Sequence, residues 1–524
     1  MSNNKVLHQK LIKEVVKKAE TMGLYFKPSK CRSLSICGGS PKDVNFVLTD
    51  EKEGKSPVHI ETVHLRPHKF LGATVTYNNT PKEYFIQFKK ILSDKLENID
   101  KTLVRGEHKL AIYERHALPS MRYHLSIHNL HKTHLDGLDM VAKTYLKKWL
   151  KFPTRGVTDV GIFHPYFLNV KQPSHIYLEG HTNNMLLMRI KADATVNACL
   201  DSQLEREITW KSKSSTAVKS HNIIAPIVEN TTKSLELRTT RKQDINKAKK
   251  VVKKSTNEDI RDKWNSKVRM VTMQGDFAEL LIEEQNCVTW QSVVRKVPRN
   301  VMSFAARLST KSLASPDNLR RWGKRKMGSC PLCNSPNATL AHISNMCTVA
   351  LNEGRFTWRH DSVLLILATT VKSLATGGTE VFSDLPSLRI NGTTIPADIL
   401  VATGEGSKPD LVILDRARKA IALLELTCSL PGSASKAHML KDKKYTQLAI
   451  DLEEKGYQVF LVPFEVLSPG HISSQCKESI QNTLKLFNIR VKKSLYENLA
   501  LLCTISIFHA YQVKEWVSPP LLAP

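Results

Sequence analysis

Apolar residues recur at helical spacing through most of the chain, and short apolar runs gather near its two ends. Residues 7–22 keep the helical period and stop at Gly23, a residue suited to a left-handed C-cap. Residues 24–36, 45–50, 58–67 and 73–76 read as short strands, with Gly38 and Gly39 at a turn. Residues 83–103 carry Phe85, Phe88, Ile91 and Leu92 at helical spacing, and 108–125 and 131–150 predict two further helices. The stretch 151–181 is rich in Pro and Gly and predicts an irregular connector, whereas 186–300 is mainly helical and polar. Near the C-terminus the period shortens: 408–414 (KPDLVIL) and 420–427 (AIALLELT) predict strands, 433–456 a helix, 456–466 a third strand, and 475–487 and 495–508 two closing helices. No repeat is visible, and no apolar run reaches the roughly 18 residues that would span a bilayer. The pattern predicts an α/β and α multidomain chain whose C-terminal sheet is mixed.

The two C-terminal runs bring chemistry with them. Arg416, Ala417, Arg418 and Lys419 fit a four-residue hairpin loop, which pairs Asp415 with Ala420. Counting back sets Asp410 opposite Glu425, and directly opposed residues have Cβ atoms roughly 4.5–5.5 Å apart. Two carboxylates so placed repel each other unless a cation lies between them. A Mg²⁺ ion, bound by one or two carboxylates with water and phosphate oxygens, removes the objection. On the helix that follows, Lys441, Lys444, Tyr445 and Leu448 fall on one face. Carboxylates for a metal and a lysine for the nucleophile or the phosphate are what phosphodiester cleavage requires. Which of Lys441 and Lys444 reaches the phosphate stays open, because they share that face.

A second cluster is stricter in spacing. Cys330, Cys333, His342 and Cys347 stand as C-x2-C-x8-H-x4-C. Three thiolates and one imidazole complete a tetrahedral Zn²⁺ shell with no open position, so the site is expected to be structural. His124, His128, His131 and His134 lie close together, but without a glutamate after His124 they read as packing or surface residues. Asp398 reads as an acid at a strand end.

Charge narrows the partner. The 524 residues hold 77 Lys and Arg against 49 Asp and Glu, a formal net charge of +28. An excess of this size in a folded chain points to a polyanion. Two clusters concentrate it: Arg241, Lys249, Lys250, Lys253 and Lys254 on one helix, and Arg320, Arg321, Lys324, Arg325 and Lys326 just before the cysteines. Both are candidate nucleic-acid contacts.

Taken together, these residues resemble a known family. The carboxylate pair is similar to that of the PD-(D/E)xK nucleases, with Thr427 in the place of their lysine. A narrower likeness accommodates the change: the restriction-like endonuclease of site-specific non-LTR (LINE-type) retrotransposons, of which the ribosomal-DNA-inserting group is best known. That family carries the lysine on the next helix as K-x-x-K-Y, matched by Lys441, Lys444 and Tyr445. It also places a Cys-Cys-His-Cys knuckle and then an Arg-His-Asp helix before the nuclease, matched here by Arg359, His360 and Asp361. Upstream, Phe70-Leu71-Gly72 resembles the primer-grip turn of a reverse transcriptase palm, and the helices over 83–150 resemble its thumb.

The resemblance implies five parts: a palm remnant at 1–80, thumb-like helices at 81–150, a connector and basic linker at 151–319, a zinc knuckle at 320–350 and an α/β nuclease at 351–524. It implies Asp361 as a third acid on the metal side, Arg359 or His360 at the scissile phosphate, and Tyr445 positioning its helix or touching DNA. The implied cofactors are Mg²⁺ or Mn²⁺ in the nuclease and Zn²⁺ in the knuckle. The implied activity is nicking of double-stranded target DNA in the nucleus, the freed 3′ hydroxyl priming copying of element RNA, with neither membrane nor small-molecule ligand involved. No Asp-Asp pair occurs anywhere in the chain. Polymerisation is therefore not expected, and the N-terminal strands are expected to lack part of a palm sheet. A competing expectation keeps the same residues as a non-catalytic DNA- or RNA-binding remnant of such an element.

Overall fold

The computed structural model describes residues 4–48, 57–66, 68–70, 73–75, 77, 80–154, 157–191, 194–210, 219–225, 242–271, 274–284, 289–385, 395–396, 399 and 408–512. Over these residues the protein is α/β, with helices predominant and the sheets small.

The N-terminal part is one helix and three two-stranded pieces. Asn4 caps the helix Lys5–Thr21 by accepting from the amides of Val6 and Leu7, and Gly23 leaves it at φ +73°. Strands β1 (Ser35–Cys37) and β2 (Ser40–Lys42), β3 (Phe46–Leu48) and β4 (Val58–Ile60), and β5 (His68–Phe70) and β6 (Ala73–Val75) form antiparallel pairs that do not join into one sheet. The expected strand over 58–67 is thus only three residues long. Leu71 and Gly72, most of the expected grip turn, lie outside the described residues, as does Arg241.

Next comes a helical body. Thr80 and Glu83 close a capping box around Pro81 and start the helix Pro81–Lys101. Its Phe88, Leu92, Leu96 and Ile99 pack with Leu110, Tyr113, Met121, Leu138 and Leu146 from the helices Gly106–Ile112, Leu118–Ile127 and Lys132–Trp149 and the π-helical turn Tyr113–Ala117. Gly106 is required where it stands, since a Cβ there would lie 1.8 Å from the Trp149 carbonyl oxygen. The connector expected over 151–181 is irregular only in its first part. From Pro173 the helix Pro173–Lys191 is already running. Asp139 starts it from outside, accepting from the Ser174 amide at 2.9 Å and its hydroxyl at 2.6 Å. A helix cap supplied by a distant side chain leaves no signal in the local sequence.

One buried histidine gives this body a pH signature. His164 takes the Tyr166 amide on Nδ1 at 3.1 Å and sets Nε2 3.0 Å from Asn265 Oδ1, which suits the neutral ring. Burial holds its pKa down to about 4. A group depressed in the folded state, against an unfolded value of about 6.5, is protonated more readily when the chain unfolds. Stability is therefore intact above about 6.5 and lost as pH falls towards 4, at about 1.4 kcal/mol per unit. Between pH 7 and 5 this one group should cost the body about 2 kcal/mol. Urea titrations followed by tryptophan emission should show it, with a shallower dependence in His164→Gln.

The C-terminal part is a three-layered α/β unit. The helix Arg355–Leu374 leads into a four-stranded sheet, ordered β10-β9-β8-β7: β7 is Thr379–Ser383, β8 Leu411–Asp415, β9 Ala420–Thr427 and β10 Gln458–Glu465. The first three strands are antiparallel, and β10 joins β9 in parallel after the crossover helix Ala434–Glu454. The sheet is mixed, as expected, but β7 was not foreseen. Alternation sends Leu411, Ile413, Ala422 and Leu424 against the helices Arg355–Leu374, Ser474–Leu486 and Lys493–Gln512. Val412, Leu414, Ile421 and Leu423 face Tyr445, Leu448 and Leu452 on the crossover helix. Burial of both faces explains why β8 and β9 are almost continuously apolar.

Candidate active site and metal centre

Asp415 pairs with Ala420 and Leu411 with Leu424, so the next step of the register sets Asp410 across from Glu425. Both follow the alternation of Val412 and Leu423, which points them to the side of the sheet that Tyr445 covers. The two acids meet directly: the Asp410 amide donates to Glu425 Oε2 at 3.2 Å. Asp410 Oδ2 in turn accepts from the Leu426 amide at 2.7 Å. Glu425 is buried and Asp410 partly so.

The crossover helix supplies the polar partners. Tyr445 Oη lies 2.9 Å from Glu425 Oε2 and 2.8 Å from the Lys408 carbonyl oxygen. Lys444 Nζ donates to Tyr445 Oη at 2.7 Å and stands 3.5 Å from Glu425 Oε1. Burial and then the Glu425 charge push the Tyr445 phenol far above its usual range, so it acts only as a neutral hydroxyl. Lys444 is exposed along part of its length while its ammonium lies against Tyr445 and Glu425, beside the carboxylate pair. Lys441 lies on the same helix, one turn before Tyr445, but its side chain is outside the described residues, as is Asp398.

From the other side of the sheet end comes the helix Arg355–Leu374. His360 Nδ1 lies 3.0 Å from Asp361 Oδ1, while Nε2 lies 3.2 Å from both Asp410 Oδ2 and the Leu426 carbonyl oxygen. Burial of the ring opposes its charge, but the Asp361 and Asp410 carboxylates outweigh it and hold the imidazole protonated well above the usual histidine range. Asp361 therefore reaches Asp410 through an imidazole. The structure brings Asp410, Glu425, Lys444 and Tyr445 together and sets Asp361 one side chain away.

Arg359 stands apart from the expected phosphate contact. Its guanidinium is buried, donating to the Ser344 carbonyl at 2.9 Å, Asn345 Oδ1 at 3.0 Å and the Cys428 carbonyl at 3.1 Å. Asp384 was not foreseen. It follows β7 directly, and because Ser383 pairs with Leu411 it stands beside Asp410, close enough for its charge to act on Tyr445. An acid ending a strand that pairs with the Asp410 strand was the signal, had β7 been recognised.

The four metal ligands do converge. Cys330, Cys333, His342 and Cys347 place all their ligand atoms within 4.8 Å of one another, with the Cys330 and Cys347 sulfurs 3.9 Å apart and Cys333 Sγ 3.3 Å from His342 Nε2. Tetrahedral Zn²⁺ with Zn–S of about 2.3 Å separates two thiolates by roughly 3.8 Å, so the donor set fits zinc. Asn334, at φ +57°, turns the chain after Cys333, and its amide donates to the Cys330 carbonyl at 3.0 Å. Ala338 and Ala350 join Cys330 and Cys347 as buried members of the local cluster, with Leu332, Ile343, Val349 and Phe356 partly buried around them, a small core for a loop that a metal would brace. Among the described residues this is the one group of three or more His, Cys, Asp or Glu side chains whose ligand atoms all converge. His124 and His128 pack on Phe88, and His128 on Tyr84.

The basic clusters face outward. Lys249, Lys250, Lys253 and Lys254 are exposed on the helix Lys242–Arg269, opposite buried Ala248, Val252 and Thr256. Lys324, Arg325 and Lys326 are exposed ahead of Cys330, while Arg320 and Arg321 are both tied to Asp317. No described helix is long and apolar enough to cross a membrane. No protein-family model matches the chain, and no curated protein matches it.

Proposed function

We propose that the C-terminal unit is a divalent-metal-dependent DNA endonuclease of the restriction-like kind found in site-specific non-LTR retrotransposons. The observation that carries this reading is the juxtaposition of Asp410 and Glu425 at one sheet end, with Lys444 and Tyr445 closing on Glu425 from the crossover helix. Asp410 and Glu425 would hold Mg²⁺ or Mn²⁺, with Asp361 and Asp384 next to them. The bound ion would activate water and neutralise charge developing on the phosphate. Lys444 offers its ammonium to a phosphate oxygen or to the attacking water. Tyr445 fixes Lys444 and the Glu425 carboxylate by hydrogen bonds, and the exposed lysines and arginines hold the DNA backbone. Its role would be nicking of target DNA in the nucleus for priming on element RNA, with the zinc knuckle presenting Lys324, Arg325 and Lys326. The absence of an Asp-Asp pair argues against polymerisation by this chain.

A second reading, a nucleic-acid-binding protein without cleavage, draws support from His360, which occupies the space between Asp361 and Asp410. Incubation of the purified chain with supercoiled plasmid separates the two. Open-circular product that requires Mg²⁺ or Mn²⁺ is expected. Salt-sensitive binding with no nicked product in either metal would leave only the binding function.

A further inference from the structure

We infer that Arg359 is a positioning residue through which the zinc knuckle sets the geometry of the carboxylate site; the inference rests on the nuclease reading for its catalytic arm only. Arg359 touches two segments remote in sequence. On one side it holds the Ser344 carbonyl and Asn345 Oδ1, both in the π-turn His342–Met346 that runs from one metal ligand almost to the next, Cys347. On the other it holds the Cys428 carbonyl, just beyond the end of β9.

The end of β9 is where the site is built. Leu426 gives its amide to Asp410 and lies with its carbonyl against His360, the residue next to Arg359. Consecutive residues of one helix therefore pin the same strand end, and one of them is seated by the metal-binding loop. The Phe356 ring lies over the guanidinium, its centroid 5.4 Å from Cζ. A loop that depends on zinc for its shape cannot present the Ser344 and Asn345 oxygens once its ligands are released. Arg359 would then keep only the Cys428 carbonyl, and the strand end carrying Glu425 and Leu426 would lose its link to the knuckle. Displacements of about 1 Å are enough to cost catalysis on the order of 100-fold.

Hydrogen exchange on the full-length chain reads this directly, without any cleavage assay. Zinc removal should speed exchange by about tenfold or more, not only over 330–347 but also over 425–429. Arg359→Met should keep one zinc per chain and its affinity for DNA, yet speed exchange over 425–429 and lower Mg²⁺-dependent nicking about 100-fold. Arg359→Lys should recover part of both. Should Arg359→Met fail to fold, Asn345→Ala removes one acceptor alone and should give the same exchange pattern more weakly. Exchange changes confined to the knuckle, in the zinc-free chain and in the variants alike, would overturn the coupling. If the coupling is found and the wild-type chain does not nick, the nuclease reading falls and the positioning role stands as a structural one.

Discussion

Asp410→Ala should reduce Mg²⁺-dependent nicking on the order of 10³-fold or more while leaving the affinity for duplex DNA unchanged within about threefold. The asymmetry follows from where the residue sits. Asp410 is at the sheet end, whereas the exposed basic residues lie on the helix Lys242–Arg269 and ahead of Cys330. Phosphate attraction, which supplies most non-specific affinity, therefore survives the change. Loss of one of two adjacent carboxylates would remove one of the two ligands proposed for the ion, and it leaves the Leu426 amide without its acceptor. The latter costs about 1–3 kcal/mol of stability in a buried setting, so the comparison needs Asp410→Asn, which retains an oxygen for Leu426. Both variants should bind and neither should cut. A variant that nicks at the wild-type rate would remove Asp410 from the chemistry and with it the proposed mechanism.

The second large effect is expected at the knuckle. The wild-type chain should carry one zinc per molecule by atomic emission, and Cys347→Ala should carry none. Zinc binding in small loops is worth on the order of 10 kcal/mol and is at the same time their folding free energy. The residues around Cys330 and Cys347 have only a small core of their own, so they should become the preferred site of proteolysis in the variant. A Cys347→Ala chain with full zinc content and a protected loop would show that the four side chains converge for another reason.

Much of this site could be read from the sequence because its determinants are local. A short hairpin loop sets its own register, so the Asp415–Ala420 pair, and from it the opposition of Asp410 and Glu425, needed no knowledge of the rest of the fold. The metal ligands fall within 18 residues, Cys330 to Cys347, and their spacing carries the geometry. The strand β7 escaped because it is five residues long, partly exposed and contains Glu380 and Thr379, a weak pattern typical of a sheet edge. Asp384 was lost with it. The contacts of Arg359 could not be read from the sequence for a different reason. Its contacts lie 15 and 69 residues away, and nothing in the tripeptide Arg-His-Asp says that adjacent side chains serve different purposes. The Asp139 cap was hidden in the same way, 35 residues from Ser174.

The helix Lys493–Gln512 belongs to both halves of the molecule. Its Ala500 completes the core of the helical body, and Leu499, Leu502 and Cys503 belong to the core beneath the sheet. During synthesis the helices from Pro81 to Ser309 leave the ribosome long before this segment exists. The face that Ala500 covers stays open until then, so the same late helix completes both cores. The order of translation thus couples the last packing step of the two halves through one helix, and until that step the body carries the kind of uncovered apolar face that makes partly folded chains prone to aggregate.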